Sequence, residues 1–252
     1  MDILPLFKSH YSIGRSILTL EDEHESEDYP DSIINLAKKN DLKDICLVED
    51  NMSSFLQAYT NCKKYDINLQ YGLRLTITDN MLQKEEATRS KSSKFIIFFK
   101  TEDGYRKLVK IYSHASKEGF YYEPRIDFNF LKNIWNSKDL LLCVPFYDSF
   151  IFNNTLKGHL CTPEISFANP IFFLEDNHLP FDAIVEKHVL NFTKDNSNDI
   201  IRAKTIYYKN RTDFKSYLTF RCINARTTLN KPELEHMTSD EFSLESYLNL
   251  NK

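Results

Sequence analysis

An alternating α/β fold is what this chain of 252 residues predicts, on three observations. Short apolar runs alternate with stretches of helical spacing, the pattern of β-α units stacked on a parallel sheet or closed into a barrel. Several runs, Ile45-Cys46-Leu47-Val48 and Phe95-Ile96-Ile97-Phe98-Phe99 among them, are apolar at every position, as strands covered on both faces are. The length, with 42% hydrophobic residues, suffices for one large core in a single domain over residues 1–252.

The elements follow in chain order. Residues 3–7 form the first of seven expected strands. An acidic stretch, 21–31, ends in Tyr29-Pro30 and reads as a solvated loop before a helix capped by Asp31 or Ser32. That helix carries Ile33, Ile34, Leu36 and Ala37 at helical spacing. Strands at 44–49 and 68–78 come next, then a polar excursion, 83–93, expected as a mobile connection to the strand at 94–100. Asp103 before Gly104 offers a start for the helix bearing Leu108, Val109, Ile111 and Tyr112. The remaining strands lie at 139–146, 171–175 and 200–208. Residues 229–252 are polar, with a short amphipathic piece around Phe242, Leu244, Tyr247 and Leu248. With five glycines in the chain, the turns must draw on Asn, Asp, Ser and Pro.

Composition excludes several classes of protein. A formal charge of -4 and a pI near 6.0 argue against strong autonomous nucleic-acid binding, which needs clustered cations. No apolar stretch approaches the roughly 20 residues that span a bilayer, and the acidic N-terminus is unlike a signal peptide. A cytoplasmic protein without a membrane partner is expected. Cys46, Cys62, Cys143, Cys161 and Cys222 are odd in number, form no C-x-x-C pair and mostly sit in apolar runs. They predict packed free thiols, not a disulfide framework or a structural zinc.

The run Glu118-Gly119-Phe120-Tyr121-Tyr122-Glu123-Pro124-Arg125-Ile126-Asp127 follows neither helical nor strand period. Together with Glu102-Asp103-Gly104-Tyr105-Arg106-Lys107-Leu108 before it, the run resembles the polymerase and histidinol phosphatase (PHP) domain. That domain opens the alpha subunit of bacterial DNA polymerase III. The resemblance extends from about Leu4 to Tyr247 and implies a distorted seven-stranded (β/α) barrel of the PHP type. It places residues from about 229 to 252 at the exit toward a polymerase body.

PHP domains usually carry a metal site, and the match can be followed residue by residue. Lys8-Ser9-His10-Tyr11-Ser12 lies where the family has His-Ser-x-Tyr-Ser, which sets Lys8 at one histidine and Leu4 or Leu6 at another. Leu47-Val48-Glu49-Asp50-Asn51-Met52 resembles T-D-H-G-N-M with one residue fewer, so Glu49 replaces an aspartate ligand and the following histidine is gone. Gly72-Leu73-Arg74 stands for G-x-E. Lys204-Thr205-Ile206-Tyr207-Tyr208 stands for N-D-x-H-Y. The former metal-site positions are thus Lys8, Glu49, Asp50, Arg74, Thr205 and Tyr207, with His10, Arg125 and His178 as candidate retained residues.

Metal ligands must be converging carboxylates and neutral imidazoles. A lysine or arginine in their place raises the electrostatic cost of a second cation. The resemblance therefore implies no catalytic residue, no metal and no cofactor. Lys8 and Arg74 are expected to pair with Glu49 or Asp50, because carboxylates in a cleft need a counter-charge. Other templates are weak. Ser9 and Ser12 near His10 lack an oriented base, Gly14-Arg15-Ser16 is no phosphate loop, and Asp22-Glu23-His24 and Asp176-Asn177-His178 read as surface polar residues. Phe120, Tyr121 and Tyr122 read as core packing over base stacking, and Arg125 as a cation seeking a carboxylate or phosphate.

The function implied is a catalytically inactive PHP-like domain of a DNA polymerase III alpha-type replicase. It would serve as a structural or partner-binding module, with the polymerase body or a proofreading exonuclease as partner. The acidic loop at 21–28 and the segment at 242–248 are the expected association surfaces. Two alternatives stand beside it. One is a metal-dependent phosphoesterase or 3'-5' exonuclease with a site remodelled from His10, Glu49, Asp50 and His178. The other is a PHP-mimicking binder of a host replisome, and a composition heavy in Lys, Asn, Ile, Phe and Tyr suits a small-genome or phage source.

Overall fold

The structure is a computed structural model that describes residues 3–22, 29–89, 91–159, 161, 163–230 and 239–250. The elements are β1 (Leu4–Phe7), α1 (Ile33–Lys39), β2 (Asp44–Glu49), α2 (Phe55–Lys64), β3 (Asn68–Thr78), α3 (Glu86–Arg89), β4 (Ser93–Phe99), α4 (Glu102–Lys117) and β5 (Arg125–Asp127). They continue with α5 (Phe128–Ile134), β6 (Leu140–Val144), α6 (Phe150–Leu156), β7 (Ile171–Leu174), α7 (Asp182–Asn196), β8 (Ile200–Ile206), α8 (Phe214–Ala225) and α9 (Leu244–Leu250). The strands bond in the order β2-β1-β8-β7-β6-β4-β3-β5, and a further β2–β3 pairing closes seven of them into a barrel, leaving β5 as an appendage of β3.

All seven expected strands are present. Two features differ from the expectation. β5, only three residues long, lies inside the unperiodic signature run, where no pattern announces it. The barrel is also mixed and not all parallel, since β4 runs antiparallel to both β3 and β6. Among the described residues the β3–β4 connection holds one helix, the four-residue α3.

The chain packs as two compact units, Met1–Tyr71 with Glu175–Asp182 and Arg202–Lys252, and Gly72–Leu174 with Ala183–Ile201. In the first, parallel β1, β2 and β8 carry Phe7, Leu47 and Ile206, all fully buried. Ser32 caps α1 through the Asn35 amide, one of the two caps expected. The C-terminal segment belongs to this core. Phe242, Leu244 and Tyr247 are buried, the Tyr207 amide donates to the Phe242 carbonyl, and the Leu244 amide donates to the Tyr208 carbonyl. The apolar stripe expected as an association surface is therefore spent inside its own fold, where burial is favourable. Of the acidic loop, residues 23–28 lie outside the described residues.

In the second unit, Phe95, Phe128, Phe150, Phe172 and Phe192 form a chain of ring contacts beneath the sheet. Thr101 caps α4, its hydroxyl accepting from the Gly104 amide, so the cap lies two residues before the start read from Asp103. Gly104 permits close approach, because a Cβ there would fall onto the Asp139 carbonyl oxygen. All five cysteines are free and buried. Among the described residues, no helix is long and apolar enough to cross a membrane.

Candidate functional site

The carboxyl ends of β1 and β2 bring together most of the residues singled out near the N-terminus. Lys8 follows β1 with only 4% of its surface exposed, and its ammonium donates to Asp50 Oδ1 at 2.7 Å. Arg15 Nε lies 3.9 Å from the other oxygen of Asp50. Glu49, the last residue of β2, is fully buried and accepts from the Ser9 amide at 2.9 Å and from the Ser12 hydroxyl. Ser12 Oγ in turn accepts from the Asp50 amide, and Asn51 Nδ2 donates to the Tyr11 carbonyl. Residues 9–15 are thereby laced to the end of β2. Burial pushes the Glu49 carboxyl above its ordinary value, and the Lys8 charge with the two serine hydrogen bonds offsets only part of that.

The register of β1 with β8 pairs Leu6 with Thr205 and Pro5 with Lys204. Thr205 does not stand open to a ligand. Its amide and hydroxyl both donate to Glu175, at 3.0 and 2.9 Å, and Asn177 Nδ2 adds a third bond at 3.1 Å. Burial also raises the Glu175 carboxyl, against the lowering effect of those bonds. Tyr207 stacks between Tyr217 and Phe242, with ring centroids 5.4 and 5.5 Å away. Lys204 points the other way, buried against Glu241 at 3.1 Å and the Asp176 carbonyl at 3.1 Å. Arg211 reaches the same Glu241 carboxylate.

The other named residues are dispersed. His178 is exposed, has φ +55°, and places Nδ1 3.5 Å from Glu241. The His10 amide donates to the Leu18 carbonyl and its ring lies 4.5 Å from Tyr11, while its buried Nδ1 has no partner among the described residues. Asp22 takes Lys64 and Tyr65 as partners, whereas Glu23 and His24 lie outside the described residues.

In the second unit Arg74 donates to Asp148 Oδ2 at 2.6 Å, and Lys157 lies 3.6 Å from Oδ1. Asp148 was not among the carboxylates expected to meet Arg74. The signature run is explained by Arg125, 1% exposed, whose guanidinium donates at 3.1 Å to the Gly119, Met81 and Gln83 carbonyls and to Thr88 Oγ1. Backbone oxygens and a hydroxyl thus replace the carboxylate or phosphate expected there. They tie Met81, Gln83 and Thr88 to β5, the last two within the first part of the excursion expected at 83–93 to be mobile. Gly119 is needed because a Cβ would fall onto the Arg125 carbonyl oxygen. The aromatic cluster is not core: Phe120 and Tyr122 are exposed, the latter at 72% with φ +61°.

Chemically, the first site offers a buried ammonium and carboxylates already engaged by hydroxyl and amide donors. Among the described residues, no three His, Cys, Asp or Glu side chains converge as a metal site. Sequence reasoning missed Glu175, Lys204, Glu241 and Asp148. Glu175 closes an expected strand, which is a signal that could have been used. Glu241 and Asp148 meet their partners only through the fold.

The PHP domain profile matches residues 23–164 of the chain. Curated relatives bear the name DNA polymerase III subunit alpha. That of Borreliella burgdorferi is 25% identical over 226 residues, 85% of this chain and 19% of the relative. That of Helicobacter pylori strain 26695 is 26% identical over 217 residues, 78% of this chain and 17% of the relative. A shorter match, to the Chlamydia muridarum protein, is 34% identical over 93 residues, 36% of this chain and 7% of the relative. The chain spans less than a fifth of the length of these relatives.

Proposed function

The chain belongs to the PHP domain family, and on that premise we propose that it is a non-hydrolytic PHP module of a DNA polymerase III alpha-type replicase. Its work in replication is to be held by, and to brace, a protein partner: the polymerase body or a proofreading exonuclease. One observation carries the reading. Lys8 sits at a position where the family resemblance puts a ligand, buried and 2.7 Å from Asp50. A fixed ammonium there competes directly with a divalent ion for the same oxygen. Glu49, tied to Ser9 and Ser12, and Thr205, tied to Glu175, support the same conclusion, since their polar atoms already have partners. Among the described residues the donor set does not fit a metal cluster.

The test combines metal content with turnover. Protein purified and then offered Zn²⁺ or Mn²⁺ should retain less than about 0.1 equivalent after desalting and release neither phosphate from monoesters nor nucleotides from a 3' end. One tightly held metal per chain, removable with loss of such an activity, would refute the reading. Affinity purification from the native source should recover a polymerase or exonuclease polypeptide.

A further inference from the structure

We propose that the face of the second unit around Arg125, formed by Leu82, Phe120 and Tyr122, is the surface on which the protein partner docks, through an uncharged apolar patch of its own. The inference rests on the partner-binding reading above and goes further, because it places the contact and gives its chemistry.

The buried guanidinium brings the three side chains together. It donates to the carbonyls of Met81 and Gln83, on either side of Leu82, and to that of Gly119, next to Phe120. Its carbon lies 5.0 Å from the centroid of the Tyr121 ring, which meets the Tyr122 ring edge-on at 4.7 Å. Around this fixed centre Leu82 is 66% exposed, Phe120 49% and Tyr122 72%. Single exposed apolar residues are ordinary, but three gathered on one clamp form a patch. Tyr122 adds an independent sign. The Tyr121 amide donates to the Glu123 carbonyl at 3.1 Å, which sets Tyr122 at the tip of a tight turn with φ +61°. That region disfavours bulky side chains, so the fold holds a ring outward where Gly or Asn would sit more easily.

Charge decides what covers the patch. Arg89, whose guanidinium lies 5.4 Å from the Tyr122 ring centroid, is paired with Glu86 at 2.8 Å, Lys94 with Glu123, and Lys117 with Glu118 at 3.7 Å. A nucleic acid would need those cations for its phosphates, whereas each is already neutralised by a neighbour. What remains is aromatic and aliphatic surface beside an arginine, and Tyr, Phe and Arg are enriched at the centres of protein–protein interfaces. Rigid rings lose little freedom on binding, and a partner with charges at its centre would have to bury them unpaired.

The experiment measures binding of the polymerase or exonuclease polypeptide recovered from the native source to the full chain, to Leu82→Ser, to Tyr122→Asn and, as a control on an exposed residue of α2, to Leu56→Ser. Leu82→Ser and Tyr122→Asn should each weaken binding about tenfold or more, and Leu56→Ser should bind as the wild type does. Hydroxyl-radical footprinting of the wild-type complex covers the case of a variant that does not fold: Tyr122 should be protected by the partner, and an unprotected Tyr122 overturns the inference. Equal affinities of all four proteins overturn it while leaving the partner-binding reading intact. Recovery of neither polypeptide with the wild type overturns both. Binding of single-stranded oligothymidylate that Tyr122→Asn abolishes, or a wild-type dimer that Leu82→Ser dissociates, overturns the choice of occupant in favour of nucleic acid or of a second copy.

Discussion

Arg125→Met puts the strongest demand on the account of the signature run. The wild-type guanidinium is buried, and four oxygens receive its protons, at Gly119, Thr88, Met81 and Gln83. Hydrogen bonds to a charged donor contribute about 1.5–3 kcal/mol each, and the burial cost recovered when the charge is removed offsets several of those kcal/mol. The net expectation is a loss of about 3–5 kcal/mol, close to that for breaking a buried ionic contact. For a chain of this size that corresponds to a fall in unfolding temperature of about 6–20 °C. Arg125→Lys should do little better, since one ammonium cannot reproduce the planar fork that spans four acceptors. Thermal unfolding of the three proteins gives the first measurement, and limited proteolysis gives the second, with new cleavage expected within residues 81–89. A fall of less than about 3 °C with no change in cleavage would refute the idea that Arg125 clamps this excursion.

Three further outcomes follow from the ionic contacts. Arg74→Met should destabilise more than Arg74→Met combined with Asp148→Asn, because the two side chains share a charge-assisted hydrogen bond at 2.6 Å, although Lys157 stays 3.6 Å from the same carboxylate; equal losses in urea unfolding would show the pair to be uncoupled. Hydrogen bonds from Lys107 and Thr101 hold the Asp139 carboxyl below its ordinary value of 3.8. The unfolded chain therefore binds the proton more readily, the stabilisation is complete above that value, and it is lost as pH falls through the lower folded value. Asp139→Asn should accordingly cost stability at pH 7 and little in strong acid, and a cost independent of pH would contradict the assignment. Ending the chain after Leu229 removes Glu241 and Phe242 from the first unit and leaves Lys204 buried without that carboxylate; a truncated protein with unchanged unfolding temperature would show that the segment contributes nothing to the fold.

The strands were legible where apolar content was dense. The expected runs at 44–49 and 68–78 coincide with β2 and β3, because a strand covered on both faces leaves an uninterrupted hydrophobic signature. The same density hides direction. Nothing in Phe95-Ile96-Ile97-Phe98-Phe99 says that β4 runs antiparallel to its neighbours. The Lys8–Asp50 contact was foreseeable, since both residues closely follow strands whose order the family resemblance supplies. Glu241 with Lys204 and Asp148 with Arg74 were not, because separations of 37 and 74 residues are closed by the fold alone. Arg125 was noticed as the charged residue of its run, but three of its four acceptors are backbone carbonyls, which carry no mark in a sequence.

The parallel pairing of β1 with β8, Leu4 beside Ala203, also sets a timetable for synthesis. β1 must wait for a partner made about 200 residues later, and distant contacts of this kind are slow to form. The second unit takes most of its mass from the continuous stretch Gly72–Leu174. Its β4–β6 ladder can therefore form while the first unit still lacks its final strand. Pulse-labelled hydrogen exchange during refolding should accordingly protect the Ile97 and Leu142 amides before that of Leu6, and simultaneous protection would contradict this order. Until Ile206 arrives beside Phe7, β1 and β2 lack a neighbour on that side, and unpaired apolar strands of this kind are prone to aggregate.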